Sequence, residues 1–230
     1  MASFNEIIFD VMELARGNQI SDDTELDERH VTYLLNNQRS LWLRNEYNKP
    51  GRSIDSNIIQ DLGCLELEEA SPEDCCIETN GCIVLRTKKK IPNTIELHAK
   101  TAITRVGPIN KTSSPFSFMP YHKAVYSGNG RYNKNIVFTY ILNNRIYIKT
   151  NSLAANMLDY INVRGVFEDP TAAAEFIDCD GKPCFTYEDE YPINNWMIPF
   201  VKEQVLNQLG VALSTPKDES NDAKEDINKQ

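Results

Sequence analysis

The spacing of apolar residues predicts helices in the N-terminal quarter of the chain. Over residues 4–15, apolar side chains recur every three to four positions, which is typical of an amphipathic helix. Ser3 and Glu6 form a capping box ahead of this pattern. A second helix is predicted from the acidic residues 21–25 to about Tyr47, because negative side chains stabilise a helix N-terminus.

From residue 64 onward the period changes from helical spacing to alternation. Leu65 and Leu67 alternate with two glutamates, which indicates a strand. The clearest local signal lies at Asn143 and Asn144, which separate two β-rich runs. Asn tolerates the positive φ of a tight turn, so these runs are predicted to form a hairpin. Its strands are predicted over 135–142 and 145–150, and further strands over 82–87, 94–99, 101–106 and 160–167.

Helical patterns return near the C-terminus. Asp169 followed by a proline predicts a short helix near 170–177. The last helix is predicted to begin at Pro192, with Trp196 and Phe200 buried against the N-terminal helices. Pro199 should kink this helix. The last residues are polar and acidic, so they are expected to lack a fold of their own.

These elements predict an α+β fold. The N- and C-terminal helices are expected to pack as a small helical bundle, and a mainly antiparallel β-rich insert should project from it. The predicted boundaries are 1–63 and 190–213 for the helical domain, 64–189 for the insert and 214–230 for a flexible acidic tail.

Charge is segregated along the chain. Between residues 80 and 158 there are twelve Lys and Arg residues and one acid, Glu96, whereas the whole chain has a net charge of −9. A basic middle with acidic flanks gives copies of the chain a reason to attract one another. The contact residues predicted within the basic segment are Lys88, Lys89, Lys90 and Arg131.

The stretch 107–130 is a long loop rich in Pro, Ser, Gly and aromatic residues. Long ordered loops are usually functional. Phe116, Phe118 and Tyr121 are the predicted anchors, because aromatic side chains dominate the centres of interfaces. The loop and the tail 214–230 are expected to become ordered on adjacent subunits.

The sequence predicts no enzyme. The three histidines stand apart from any catalytic arrangement, and neither a metal site nor a cofactor site is predicted. No membrane contact is expected, since no apolar run reaches about 18 residues. The N-terminus lacks the features of a signal peptide, so the cysteines are expected to be reduced thiols. They are Cys64, Cys75, Cys76, Cys82, Cys179 and Cys184.

An alternative function remains open at this point. The basic segment also carries tyrosines, and cations interleaved with aromatic residues are typical of single-strand binders. The chain could therefore be a monomeric binding module for nucleic acid or for an acidic protein. The acidic flanks and the pI of about 4.9 oppose this hypothesis. The tyrosines concerned are Tyr121, Tyr126, Tyr132, Tyr140 and Tyr147.

Several short stretches together resemble a known family. They are RSLWLR at 39–44, QDLGC at 60–64, IP at 91–92, TRVGP at 104–108, RGVFEDP at 164–170, YPINNWM at 191–197 and NDA at 221–223. These stretches are similar to those of a virion structural protein of crAss-like bacteriophages. The layout of helices around a β-rich insert also resembles the head-to-tail connector, or tail tubular, proteins of short-tailed phages.

The resemblance implies a homo-oligomeric ring, usually of twelve copies, that lies below the portal beside other tail ring proteins. DNA would pass through its centre without sequence-specific binding. Such a protein belongs to the virion, at the head–tail junction or in the tail, and assembles in the host cytoplasm. The resemblance implies neither a cofactor nor an active site.

Overall fold

The computed structural model describes residues 2–16, 26–70, 84–98, 101–124, 126, 136–149 and 158–213. The α-helices in these ranges are α1 (Phe4–Ala15), α2 (Glu28–Tyr47), α3 (Tyr121–Ala124) and α4 (Ile198–Leu213). The strands are β1 (Gln60–Asp61), β2 (Leu65–Glu69), β3 (Val84–Thr87), β4 (Ile103–Gly107), β5 (Ser117–Phe118), β6 (Phe138–Leu142), β7 (Arg145–Lys149) and β8 (Tyr160–Gly165). Short 3₁₀ helices span Ser56–Ile58, Pro170–Glu175 and Asn195–Met197.

The strands form one curled, mainly antiparallel sheet in the order β1–β8–β2–β3–β7–β6–β5, with β4 paired to β8. Only β5 and β6 pair in parallel among the described strands. The predicted α+β class with a mainly antiparallel β-rich region is therefore confirmed. The predicted strand over 94–99 is reduced to a single bridge between Thr94 and Phe167.

Local sequence signals account for two elements directly. Asn143 and Asn144 adopt φ values of 51° and 58° and join β6 to β7 in the predicted hairpin. At the N-terminus, the Glu6 N–H donates to Ser3 Oγ at 3.2 Å and the Ser3 N–H donates to Glu6 Oε2 at 2.9 Å, which confirms the capping box. Helix α2 is capped by Asp27, while residues 21–25 lie outside the described residues.

The helices and the sheet share one continuous apolar core. Helices α1, α2 and α4 contact one another, and the same buried cluster extends into the sheet. Its helical members include Phe4, Ile7, Ile8, Val11, Val31, Leu35, Leu43, Val201, Val205 and Leu209. Its strand members include Leu65, Leu85, Ile103, Val106, Ile146, Ile148, Ile161 and Val163. The division into helical domain, insert and tail stays a prediction.

The predicted burial of Trp196 and Phe200 is wrong. These side chains are 48% and 44% exposed. The buried residues of this region fall every four positions, at Met197, Val201, Val205 and Leu209, so they form a narrow stripe. Trp196 and Phe200 lie on the flank of that stripe.

Pro199 lies in the first turn of α4, which begins at Ile198. The N–H groups of a first helical turn have no partner within the helix, so a proline is tolerated there. The predicted kink in mid-helix is therefore wrong, because the helix starts six residues later than Pro192.

The predicted reduced state is also wrong for two cysteines. Cys64 and Cys179 form a disulfide, and their Cα atoms lie 5.2 Å apart. The pairing joins the start of β2 to a turn more than a hundred residues later, which no sequence spacing indicates. Cys184 is free, while Cys75, Cys76 and Cys82 lie outside the described residues.

A buried arginine joins three separate segments. Arg39, on α2, is fully buried; its Nε donates to the Pro192 carbonyl at 2.8 Å and its Nη1 to the Phe167 carbonyl at 2.9 Å. The guanidinium also lies over the Tyr191 ring, 5.7 Å from its centroid. Burial lowers the pKa of Arg39 to about 10, so the side chain stays charged at neutral pH. Arg39 thus fixes both the end of the β8 segment and the approach to α4.

Replacing Arg39 tests this role. Arg39→Lys should lower the free energy of unfolding by about 2–4 kcal/mol, because one ammonium cannot reproduce a planar fork that reaches two carbonyls. Urea unfolding of the full chain measures the change. Arg44→Lys is the matched control, since Arg44 lies on the same helix and its side chain is 55% exposed. Among the described residues, that side chain makes only a surface ion pair with Glu96. Equal losses in both variants would contradict the role.

Candidate assembly surface

The fold brings the basic segment together with the acidic flanks. Strands β2 and β3 pair so that Glu68 lies opposite Arg86, and their side chains form an ion pair at 2.7 Å. Other ion pairs between the basic segment and the flanks are Lys88–Glu66, Lys89–Glu175, Lys111–Asp61 and Arg145–Glu68, at 2.9–3.5 Å. Five of the twelve cations of the basic segment are therefore paired with acids of the flanks within one chain, which weakens the argument that charge segregation drives self-association.

The predicted lysine contacts differ from one another. Lys88 is exposed, and its hydrogen bond to Glu66 raises the pKa of its ammonium group. Lys89 donates to the Glu175 carbonyl at 2.6 Å and lies 4.3 Å from the centroid of the Phe176 ring. Lys90 is exposed and has no hydrogen bond or ion pair among the described residues. Lys90 is therefore the member of the triplet best placed to contact another protein.

The first part of the predicted contact loop packs on its own chain. Phe116 and Phe118 are half-buried against the main core. The Arg105 guanidinium donates to three loop carbonyls at 2.7–3.2 Å. The expectation that this loop has no packing of its own is therefore wrong for the described residues up to 124. The carbonyls belong to Asn110, Lys111 and Ser113.

The remaining predicted contacts lie at or beyond the end of this described part. Tyr121 is 41% exposed and packs at a tilt on Tyr140, with ring centroids 5.6 Å apart. Arg131 and the tail 214–230 lie outside the described residues. Their predicted role as contacts stays a prediction.

Two of the tyrosines expected to stack on nucleic-acid bases pack against each other instead. Tyr140 and Tyr147 are opposite each other on β6 and β7, buried to 4% and 3% exposure, and stacked at 5.3 Å. Burial raises the pKa of Tyr140 to about 12. Neither ring is accessible to a nucleic-acid base, so the alternative hypothesis loses two of its stacking groups.

An exposed group of aromatic side chains lies on α2 and at the start of α4. The half-buried Trp42 stacks on Phe200 with ring centroids 5.3 Å apart, and Trp196 meets Phe200 edge-on at 6.5 Å. We call these three residues the aromatic ridge. Exposed aromatic clusters are typical of protein–protein contacts. The sequence pattern indicated that these side chains are apolar, but it could not show that they stay uncovered.

Nothing in the described ranges suggests a metal centre. No group of three or more His, Cys, Asp or Glu side chains in those ranges is arranged to hold a metal ion. Among the helices of the described residues, none has the length and apolar character needed to cross a membrane.

Comparison with known proteins supplies the class of protein. Residues 6–227 match the family model described as phage tail ring protein 2, so the chain belongs to this family of phage tail ring proteins. It is 27% identical over 231 residues to Ring protein 2 of Bacteroides phage crAss001, and the match covers 98% of each chain. The resemblance to crAss-like phage structural proteins is confirmed. Membership in a tail ring family also indicates a location in the virion.

Four of the stretches that carried the resemblance meet in space. RSLWLR at 39–44, RGVFEDP at 164–170 and YPINNWM at 191–197 are joined by the Arg39 side chain. In QDLGC at 60–64, Gln60 donates to the Pro170 carbonyl at 3.1 Å. Gly63 has a φ of 66°, and a Cβ there would lie 2.6 Å from the Asp178 Cα. These stretches therefore form the packing junction of the fold.

The Asp61 carboxylate makes several hydrogen bonds and an ion pair in this junction. Its carboxylate accepts hydrogen bonds from Arg164 Nε and the Gly63 N–H, both at 3.0 Å, and from the Asn162 amide. It also pairs with Lys111 at 2.9 Å. Burial alone would raise the pKa of Asp61, but hydrogen bonds from Lys111, Gly63 and Asn162 outweigh this effect, so the pKa lies below its usual range.

A lowered folded-state pKa makes Asp61 a pH-dependent contributor to stability. Ionised Asp61 stabilises the fold at neutral pH, and this contribution is lost as the pH falls through the folded-state pKa. Asp61→Asn should therefore lower the free energy of unfolding at pH 7 by roughly 1–3 kcal/mol, with a smaller difference near pH 3. Urea unfolding at both pH values measures this. A difference that does not change with pH would contradict the assignment, and Glu13→Gln at an exposed position is the control.

Proposed function

We propose that this chain is a structural, non-enzymatic subunit of a closed ring at the head–tail junction or in the tail of a phage. The ring would contain twelve copies, lie near the portal and other tail ring proteins, and surround a channel through which DNA passes. Assembly would take place in the host cytoplasm before the ring joins the virion. The aromatic ridge is the observation that carries the proposal, and membership in a tail ring family supports it.

The aromatic ridge suits the centre of a subunit interface. A stable interface buries about 800 Å² on each partner, and a few aromatic side chains usually dominate its energy. Trp196 and Phe200 are about half exposed in the single chain, so contact with a neighbour can remove a large apolar area from water. The ridge belongs to the helical part, which we take as the domain formed by 1–63 and 190–213.

The charge of the chain suits a passage for DNA. The net charge is −9, and many cations of the basic segment are already paired with carboxylates of the same chain. A surface with few free cations binds phosphate weakly, so DNA could slide along it. In this proposal Lys90 contacts a neighbouring protein, together with Arg131, Tyr121 and the less exposed Phe116 and Phe118 at the edge of the loop.

The ridge is tested by Phe200→Ala. Removing this ring should weaken association of the subunits by about tenfold or more, because aromatic anchors carry much of an interface's energy. Phe9→Ala is the matched control: Phe9 is 60% exposed on α1 and has no ring partner among the described residues. Mass photometry over a concentration series measures the association and counts the copies.

Thermal unfolding of both variants shows whether the single chain remains folded. A monomeric wild-type protein, or equal association of Phe200→Ala and wild type, would contradict the proposal. A closed oligomer with a different number of copies would correct only the proposed number of twelve copies.

The lysine triplet is tested one residue at a time. Lys90→Gln should weaken association, and more strongly at low salt, because the Debye length is about 30 Å at 0.01 M and about 8 Å at physiological ionic strength. Lys88→Gln is the control, since Lys88 already pairs with Glu66 in its own chain. The ionic-strength dependence of the oligomer fraction separates the two variants. Equal effects would remove Lys90 as a specific contact.

A further inference from the structure

Three cysteines of the described residues come together just before β2. Cys64 and Cys179 form the disulfide, which joins this part of the chain to the turn at residues 176–184. We call this turn the cysteine turn. Cys184, at its end, is the free cysteine. It lies close to the neighbour of Cys64, because a Cβ on Gly63 would be 2.9 Å from Cys184 Sγ.

Hydrogen bonds hold the cysteine turn in place without help from the disulfide. The Asp178 carboxylate accepts hydrogen bonds from the N–H groups of Asp180 and Lys182, at 2.9 and 2.8 Å, and so closes the turn locally. The Cys64 N–H donates to the Ile177 carbonyl at 3.4 Å, which attaches the turn to the residues before β2. The fold therefore brings the two cysteines of the disulfide together, and these hydrogen bonds do not depend on the bond between the sulfur atoms.

The disulfide is within reach of small molecules in solution. Cys179 is exposed and Cys64 is half-buried. Exposed disulfides are usually the labile or regulatory ones, whereas structural disulfides resist reduction by glutathione. The host cytoplasm, in which we propose that the ring assembles, keeps accessible thiols reduced.

We propose that Cys64 and Cys179 form a redox latch, which is open as two thiols during assembly in the host cytoplasm and closes as a disulfide outside the cell. The oxidant that closes it is a small-molecule disulfide. The timing rests on the proposed function, whereas the chemistry of the latch does not.

Closing the latch with glutathione disulfide takes two exchange steps. The thiolate of the more exposed Cys179 attacks one sulfur of glutathione disulfide, forms a mixed disulfide and releases one glutathione. The Cys64 thiolate then attacks Cys179 Sγ and releases the second glutathione. Two cysteine thiols are oxidised, one glutathione disulfide is reduced to two glutathione thiols, and the two protons pass from the cysteines to the departing thiolates.

Cys184 competes poorly for this bond, although it lies close to it. Burial, followed by the charges of Asp61 and Asp178, raises the pKa of Cys184 to about 11, so its thiol is protonated at neutral pH. The thiolate is the nucleophile in disulfide exchange, so a protonated thiol displaces Cys64 slowly. The latch therefore closes on a single pairing.

Peptide mapping of the full-length protein tests the latch. The protein is equilibrated with an excess of reduced glutathione or with glutathione disulfide. The remaining thiols are then blocked with iodoacetamide, and the peptides are identified by mass spectrometry. We expect Cys64 and Cys179 as blocked thiols after the first treatment and as a linked peptide pair after the second. A pair that stays linked in reduced glutathione would be a structural disulfide and would overturn the proposal, as would a pair that never links.

Thermal unfolding measures what closure does to the chain. A disulfide between residues more than a hundred positions apart restricts the unfolded chain, so closure should raise the Tm by roughly 5–15 °C. Cys179→Ser should abolish this difference between the two treatments, and Cys184→Ser is the matched control that should retain it. A difference that persists in Cys179→Ser, or one that is absent from Cys184→Ser, would contradict the assigned pairing.

Mass photometry after the two treatments separates the latch from the ring. Open and closed protein should associate equally, because the hydrogen bonds of the cysteine turn are present in both. Association after only one treatment would overturn the proposed order of assembly and closure and leave the ring itself intact. A chain that stays monomeric after both treatments would overturn the proposed function and the timing with it, while the peptide mapping decides the chemistry of the latch.

Discussion

The structure depends on the buried guanidinium of Arg39. A charge removed from water is costly unless its donors are used, and two of them reach the carbonyls of Phe167 and Pro192. These partners lie 128 and 153 residues away in the sequence, so a single side chain fixes three distant segments. An apolar residue of similar size would fill the space but leave two carbonyls unpaired. The need to pair these two carbonyls explains why an arginine occupies this junction.

The position of the aromatic ridge follows from the same junction. Arg39 and Trp42 are three residues apart on α2, and Pro192 precedes α4 by a few residues. Holding the Pro192 carbonyl against α2 determines where α4 begins, and therefore which residues of its first turn face outward. Phe200 then reaches Trp42 while Val201 turns into the core. The exposed surface that we propose for assembly is thus a consequence of how the interior is closed.

Local features of the fold could be predicted from the sequence, whereas non-local ones could not. The hairpin at Asn143 and the cap at Ser3 depend on residues within a few positions, whose backbone preferences act in any context. The exposure of Trp196 depends on where α4 meets α2, and the partner of Cys64 depends on the path of 115 intervening residues. Of the aromatic ridge, Trp196 and Phe200 are therefore recognisable from the sequence as apolar, but their exposure is not.

The pairing of charges is another non-local feature that the sequence could not predict. The charge of the chain also constrains how the proposed ring can assemble. The basic segment and its acidic flanks have opposite charges and are separate in the sequence. Strand pairing nevertheless places Arg86 against Glu68 within one chain. Each copy still has a net charge of −9, so two copies repel each other, and salt weakens this repulsion. Association therefore cannot depend on bulk attraction between opposite patches. In the proposed ring, association would depend on apolar contacts that salt hardly affects, together with a few ion pairs. Added salt would screen the repulsion between copies and also weaken those ion pairs.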